Sequence, residues 1–161
     1  MIHTVFFSLG GNHENSVDLL KIAIREIETI SSSKVQCSSF YSTPPWGFEA
    51  NLDFVNCVCR TQTHLSAFEL LDFINGIEKD LGRIRVGGGY TSRPIDIDII
   101  YFGDAIMNEK RLQIPHPRMY DRNFVLVPLN ELASFWIDPN KKKSVAQLLK
   151  DSDDSSEVTK I

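Results

Sequence analysis

The sequence of 161 residues is short of cysteine, carries no excess of positive charge and has no long apolar run, and each shortage removes a class of function. Its three cysteines, Cys37, Cys57 and Cys59, are odd in number and show no CxxC spacing, so neither a disulfide scaffold nor a thiolate zinc site is expected. Cys57 and Cys59 lie in an apolar, strand-like run and read as reduced packing residues. A formal net charge of -4 gives no global attraction to nucleic acid or to an anionic membrane, so neither is expected as a partner. An anion has to be held by a local cluster. No stretch approaches the ~18 apolar residues that span a bilayer, and Met1 to Leu9 lacks the basic opening of a secretory signal. A cytoplasmic location and a monomer are the expectations. The phosphate-cradling pattern GxxxxGK[ST] is absent as well.

The apolar content, 42%, is enough for one proper core. A single domain over residues 1–150 is expected, followed by an acidic, serine-rich segment, 151–161, that should fray. From His3 to Leu9 the residues are β-branched, aromatic and apolar, and Gly10-Gly11-Asn12 stops them, as a strand entering a turn would. Val17, Leu20, Ile24 and Ile27 then recur at helical spacing, with Asn15 or Ser16 as cap. Val35 to Tyr41 reads as a strand ended by Thr43-Pro44-Pro45-Trp46-Gly47, and Phe54 to Thr63 as another. Leu70, Ile74, Ile77 and Leu81 form one face of a second helix closing at Gly82. Pro94 to Phe102 is the most strand-like segment. The order β-α-β-β-α-β predicts an α+β protein with a ferredoxin-like antiparallel sheet, both helices on one face and the other face free for a site. Further helices are expected near Tyr120 to Leu132 and Ser144 to Lys150.

Within the last strand, alternation sends Ile95, Ile97 and Ile99 to one face and Asp96, Asp98 and Ile100 to the other. Two carboxylates ~7 Å apart on an apolar strand raise each other's pKa unless a positive charge lies between them. A divalent cation meets that need, and hard oxygen ligands favour Mg²⁺ or Mn²⁺. The preceding loop, Gly82 to Arg93, holds Arg83, Arg85 and Arg93, three glycines in a row and no acid. Guanidinium groups offer paired donors to phosphate oxygens, and the glycines allow a lid to move over them. His116, between two prolines, and then Arg118 and Arg122 add further donors. Upstream, an irregular backbone at Thr43 and Pro44, the rings of Trp46, Phe54 and Phe124, and the amide of Asn56 form a set suited to a flat heterocycle. A small-molecule-binding module without chemistry, and a metal-dependent phosphotransferase with another acceptor, are the competing readings.

Several pieces together resemble the 6-hydroxymethyl-7,8-dihydropterin pyrophosphokinase family of folate biosynthesis. They are Leu9-Gly10-Gly11-Asn12, Tyr41 to Gly47, Phe54-Val55-Asn56, Glu78 to Arg85, Arg93-Pro94-Ile95-Asp96-Ile97-Asp98, Pro115-His116-Pro117-Arg118 and Arg122 to Leu126, in family order. The resemblance implies a kinase-type transferase in which two Mg²⁺ ions bridge ATP to Asp96 and Asp98. The β,γ-pyrophosphoryl group would pass to the pterin hydroxymethyl oxygen and AMP would leave. Thr43, Pro44, Trp46, Phe54, Asn56 and Phe124 then resemble the pterin site, with the ring between Phe54 and Phe124. Arg83, Arg93, His116 and Arg122 resemble phosphate contacts, and Asn75, Glu78, Arg85 and Arg111 lie at positions near the nucleotide. Ile99 would offer backbone groups to adenine. Arg83, Arg93, Asp96 and Asp98 would be the catalytic group. Either Asp98 or a metal-bound hydroxymethyl group could lose the proton. Tyr90-Thr91-Ser92 stands where the family usually has Trp-Gly-Pro, which implies a lid that closes differently.

Overall fold

A computed structural model describes residues 1–44, 52–82 and 94–161. Strand β1 (His3–Gly11) is buried without a break from Val5 to Leu9, the pattern of a strand covered on both faces. Helix α1 (Ser16–Glu28) follows, then β2 (Gln36–Cys37), β3 (Tyr41–Thr43), the long β4 (Phe54–Thr63), helix α2 (Ala67–Gly82) and β5 (Asp96–Phe102). A ribbon of β6 (Met107–Asn108) and β7 (Gln113–Ile114) leads to one 3-10 turn at Met119–Asp121. Helices α3 (Asn123–Ala133) and α4 (Val145–Asp151) and strand β8 (Thr159–Lys160) complete the chain. The main sheet is antiparallel in the order β5-β1-β4-β3-β8, with β2 also paired to β4. Among the described residues no helix is long and apolar enough to cross a membrane.

Two cores sandwich the sheet. Val5, Phe7, Leu9, Ile97 and Ile99 pack with Leu20 and Ile27 of α1 and Leu70 and Ile74 of α2. On the opposite face Phe6, Val58, Ile100 and Tyr101 pack with Val125 and Leu129 of α3 and Val145 and Leu148 of α4. The sequence reading expects the second face to be free; instead α3 and α4 cover one end of it and leave the other open. A register shift between Phe6 and Phe7 inserts Ile100 as an extra residue on β5, so Ile100 and Tyr101 both join the second core. Before that bulge the alternation holds: Ile97 and Ile99 point to the first core while Asp96 and Asp98 do not.

The remaining differences from the sequence reading have local causes. The strand expected over Val35 to Tyr41 is two, because the Ser38 hydroxyl, in place of its carbonyl, accepts the Val58 N–H at 2.9 Å and interrupts the ladder. In α1 the buried face is Leu19, Leu20, Ala23 and Ile27, with Val17 and Ile24 only half-buried. Asn15 makes no side-chain cap; instead Ser16 Oγ bonds back to His13 at its N–H and its carbonyl. The helix expected from Tyr120 starts at Asn123, after an extended Arg122.

The segment 151–161, expected to fray, carries specific contacts. Asp154 accepts the Asn123 N–H at 2.8 Å, and its carbonyl accepts from Asn123 Nδ2. The backbone N–H at the start of a helix has no partner within the helix, and a carboxylate there also suits the helix dipole. Farther on, β8 pairs with β3, and the Ile161 N–H bonds the Phe40 carbonyl at 3.0 Å.

Candidate active site

The open end of the second sheet face is built by register across four strands. Asp96 on β5 pairs with Gly10 on β1, which pairs with Asn56 on β4; Asp98 pairs with Ser8, and Phe54 with Thr43. Directly opposed residues present their side chains to the same face. Together with Asn12, Arg122 and Phe124 these residues line a cavity of about 280 Å³. Gly10 is there for clearance: a Cβ on it would lie 2.2 Å from Asn56 Nδ2. Asn56 and Thr43 are buried, and among the described residues neither Asn56 Oδ1 nor Thr43 Oγ1 has a hydrogen-bond partner. Buried polar atoms left so are costly, and they are groups that a ligand can satisfy.

A second, larger cavity of about 580 Å³ opens on the outer edge of β5. Asn75 and Glu78 of α2, Ile99 of β5, Lys110 and Arg111 of the ribbon, and His116, Arg118 and Arg122 all contribute to its wall. Glu78 accepts the Ile97 N–H at 2.9 Å, so α2 satisfies part of the exposed edge of β5. Asp96, Asp98 and Arg122 line both cavities. The two meet at two carboxylates and a guanidinium.

His116 stands at that junction, its Nε2 3.9 Å from Asp98 Oδ2. The Arg118 N–H donates to His116 Nδ1 at 3.2 Å, which leaves Nε2 as the protonated nitrogen of the neutral ring. Burial holds the imidazole below its usual pKa; Asp98 opposes the shift, and Arg122 and Arg118 add to it. The Arg122 guanidinium lies 5.5 Å from the centre of the Phe124 ring. Arg111 is exposed and bonded to Asp72 Oδ1 at 2.6 Å.

Of the residues proposed from sequence, Thr43, Phe54, Asn56 and Phe124 share the smaller cavity, and Asn75, Glu78, Ile99, Arg111 and His116 the larger; Asp96, Asp98 and Arg122 belong to both. Pro44 is exposed and lines neither cavity. Trp46, Arg83, Arg85 and Arg93, and the lid residues Tyr90-Thr91-Ser92, lie outside the described residues. Ser8, Gly10, Gly11, Asn12, Lys110 and Gln113 join the walls without having been singled out as site residues. The signal for Ser8 and Gly10 was register, which exists only once β1 is paired with β5.

A carboxylate pair shared between a basic, polar cleft and a smaller pocket of rings with an unpartnered amide oxygen and hydroxyl is the arrangement of a two-substrate transferase. The family model described as 7,8-dihydro-6-hydroxymethylpterin-pyrophosphokinase (HPPK) matches residues 6–134, and the chain belongs to that family. The family performs pyrophosphoryl transfer to hydroxymethyldihydropterin in folate synthesis. The chain is 39% identical over 140 residues to a 2-amino-4-hydroxy-6-hydroxymethyldihydropteridine pyrophosphokinase of Haemophilus influenzae, covering 86% of this chain and 87% of that one. It is 38% identical to the protein of that name from Synechocystis, covering 94% and 77%. A crystal structure of the wild-type Plasmodium falciparum HPPK-DHPS with pteroate superposes with a TM-score of 0.74 at 16% identity, over 93% of this chain and 44% of the other. That likeness is one of fold, and the chain spans less than half of that longer protein.

Proposed function

We propose that the chain moves the β,γ-pyrophosphoryl group of ATP to the hydroxymethyl oxygen of 6-hydroxymethyl-7,8-dihydropterin, with Mg²⁺ held by Asp96 and Asp98, and releases AMP. The observation that carries this reading is the sharing of Asp96, Asp98 and Arg122 by the two cavities: a donor in one and an acceptor in the other would meet where, among the described residues, these three side chains line both. The sheet order β5-β1-β4-β3 supports the ferredoxin-like arrangement, and a cytoplasmic monomer is part of the same proposal.

In the smaller cavity the acceptor ring would lie between Phe54 and Phe124. Its edge N–H groups would meet Asn56 Oδ1, with Thr43 Oγ1 as a further partner, which supplies the bonds these buried atoms lack. In the larger cavity, the alternation of an edge strand turns the backbone groups of Ile99 to the same outer side as those of Ile97, where adenine would bind. Asn75, Glu78 and Arg111 would flank the nucleotide, and His116 Nε2–H and Arg122 would donate to phosphate oxygens. The donor set fits Mg²⁺: two hard carboxylates side by side leave coordination positions for phosphate oxygens and water. Bound there, the ions would neutralise charge on the polyphosphate. Arg83, Arg85, Arg93 and Trp46 keep the roles the family resemblance gives them. Phosphoryl chemistry asks a protein chiefly for positioning and charge stabilisation, and these side chains supply both.

Incubation with ATP, Mg²⁺ and the dihydropterin alcohol should yield AMP. Formation of ADP, or binding without turnover, would overturn the reading. Asp98→Ala should lower turnover by about a hundredfold or more, the scale on which a transition-state charge partner acts, while dihydropterin binding measured by calorimetry stays within a few-fold.

A further inference from the structure

Cys37 on β2 and Cys59 on β4 stand directly opposite each other in the antiparallel ladder. Their sulfurs are 3.1 Å apart. The adjacent pair, Ser38 and Val58, is joined by a 2.8 Å bond from the Ser38 N–H to the Val58 carbonyl, so the cysteines occupy the intervening, non-hydrogen-bonded position. Side chains are closest there, with Cα atoms about 4.5 Å apart, inside the range that a disulfide spans. Drawing the sulfurs to a bond length of ~2.05 Å needs a movement of about 1 Å. The two thiols differ in access: Cys37 is exposed and Cys59 fully buried. Cys57 is buried too, but precedes Cys59 by two residues on the same strand and stands opposite Leu9 on β1.

We infer that Cys37 and Cys59 form a redox-modification site, a dithiol that hydrogen peroxide converts to an intramolecular disulfide. Hydrogen bonding from Cys59 lowers the Cys37 pKa against the effects of burial and Glu28. The Cys59 pKa is raised by its bonds to Cys37 and Cys57 and by burial. The exposed sulfur is therefore the better thiolate and attacks first. The Cys37 thiolate displaces hydroxide from the peroxide: an S–O bond forms, the O–O bond breaks, and the hydroxide takes up a proton to become water. The Cys59 sulfur then bonds to Cys37 as the S–O bond breaks, and the thiol proton leaves with the hydroxyl group as a second water. Two thiols lose two electrons in all, and one peroxide becomes two waters.

The link would tie together the two ends of the segment that brings Thr43, Phe54 and Asn56 to the smaller cavity. None of the described residues that line the larger cavity lies between the two cysteines. Cys59 itself packs in the first core, on the sheet face opposite the smaller cavity, so the link would reach that cavity only through β2 and β4.

The test is thiol titration and peptide mass mapping of the reduced, full-length protein before and after a limited dose of hydrogen peroxide. The three thiols should fall to one, with a mass loss of about 2 Da for the two hydrogens removed, a single cross-linked peptide pair joining Cys37 to Cys59, and recovery of all three with dithiothreitol. Cys57→Ala should lose both remaining thiols in the same link, and Cys37→Ser, a change at an exposed position, should form none. A Cys37 sulfinic acid with Cys59 still free, a link that includes Cys57, disulfides between copies on a non-reducing gel, or no loss of thiols would each overturn the inference.

Discussion

A methyl group on Gly10 would sit 2.2 Å from Asn56 Nδ2, and one on Gly11 would sit 2.4 Å from the Pro94 carbonyl oxygen. The two neighbours make different demands. Asn56 is a side chain and can turn away, at the expense of the edge it presents to the smaller cavity; the Pro94 carbonyl is backbone and cannot. Gly10→Ala should therefore raise the KM for the dihydropterin by about tenfold or more, the loss of one to two buried hydrogen bonds, while the KM for ATP stays within a few-fold. Gly11→Ala should lower the melting temperature instead, which thermal denaturation of the two variants would separate. The pair was legible in the sequence as a stop to the first strand, yet β1 continues through both residues. Their purpose is clearance from groups on β4 and ahead of β5, distant in sequence. Asp96 and Asp98 were legible because a strand's alternation is local.

At the scale of elements, long periodic segments were the readable ones: β4 and α2 fall where their patterns place them. What escaped were contacts between remote pieces. The tail is the clearest case, since its serines and acids carry no periodicity, yet Asp154 meets the first amide of α3. That helix begins beside Arg122 and carries Phe124, so its N-terminus is part of the site's frame. Asp154→Ala should cost about 0.5–2 kcal/mol, as for loss of a helix cap, read as a fall in melting temperature at neutral pH. The carboxyl pKa is lowered in the fold: burial pushes it up, but bonds from Ser156 and Asn123 prevail. A folded-state value below the unfolded one stabilises above the ordinary carboxylate pKa, and the gain is lost as pH falls through the lowered value. The gap between wild type and Asp154→Ala should thus close in acid, below about pH 4. A gap that persists there would show that the carboxylate charge is not what holds the tail. On the same helix, Glu131 accepts from the Tyr41 hydroxyl, and burial with that bond raises the Tyr41 pKa to about 12.

Over the whole molecule, the sheet is held between two cores, and one fully buried carboxylate joins its edge strand to the helical layer that bears part of the site. Asp138 accepts from Tyr101 on β5 at 2.7 Å and from Tyr120 in the 3-10 turn at 2.9 Å, and its other oxygen takes the backbone N–H groups of Asn140 and Lys141. Truncation would strand one buried and one half-buried hydroxyl and two amides together. Asp138→Ala should destabilise the fold by about 3 kcal/mol or more, since bonds to a charged group are worth ~1.5–3 kcal/mol each before the unmet partners are counted. Chemical denaturation would measure it. The sequence placed Tyr101 in a strand and Tyr120 at the start of an expected helix and gave no sign of Asp138, because a buried acid is recognisable only by the donors that surround it. The general βαβ order was readable, whereas α3 and α4 covering half of the second face was not: their apolar faces say that they pack, not on what.

The position of β5 at the margin of the sheet has a consequence for selection. Of its two flanks, one is consumed by β1 and the other meets Glu78 at Ile97 and the larger cavity beside it. A base bound there would be read by main-chain groups, which every residue possesses, rather than by a side chain that mutation can exchange. Substitutions at Ile99 could alter how tightly a competitor fits but leave the pattern of donor and acceptor intact. An inhibitor that copied that pattern would therefore offer the protein few single-step routes to resistance at this edge.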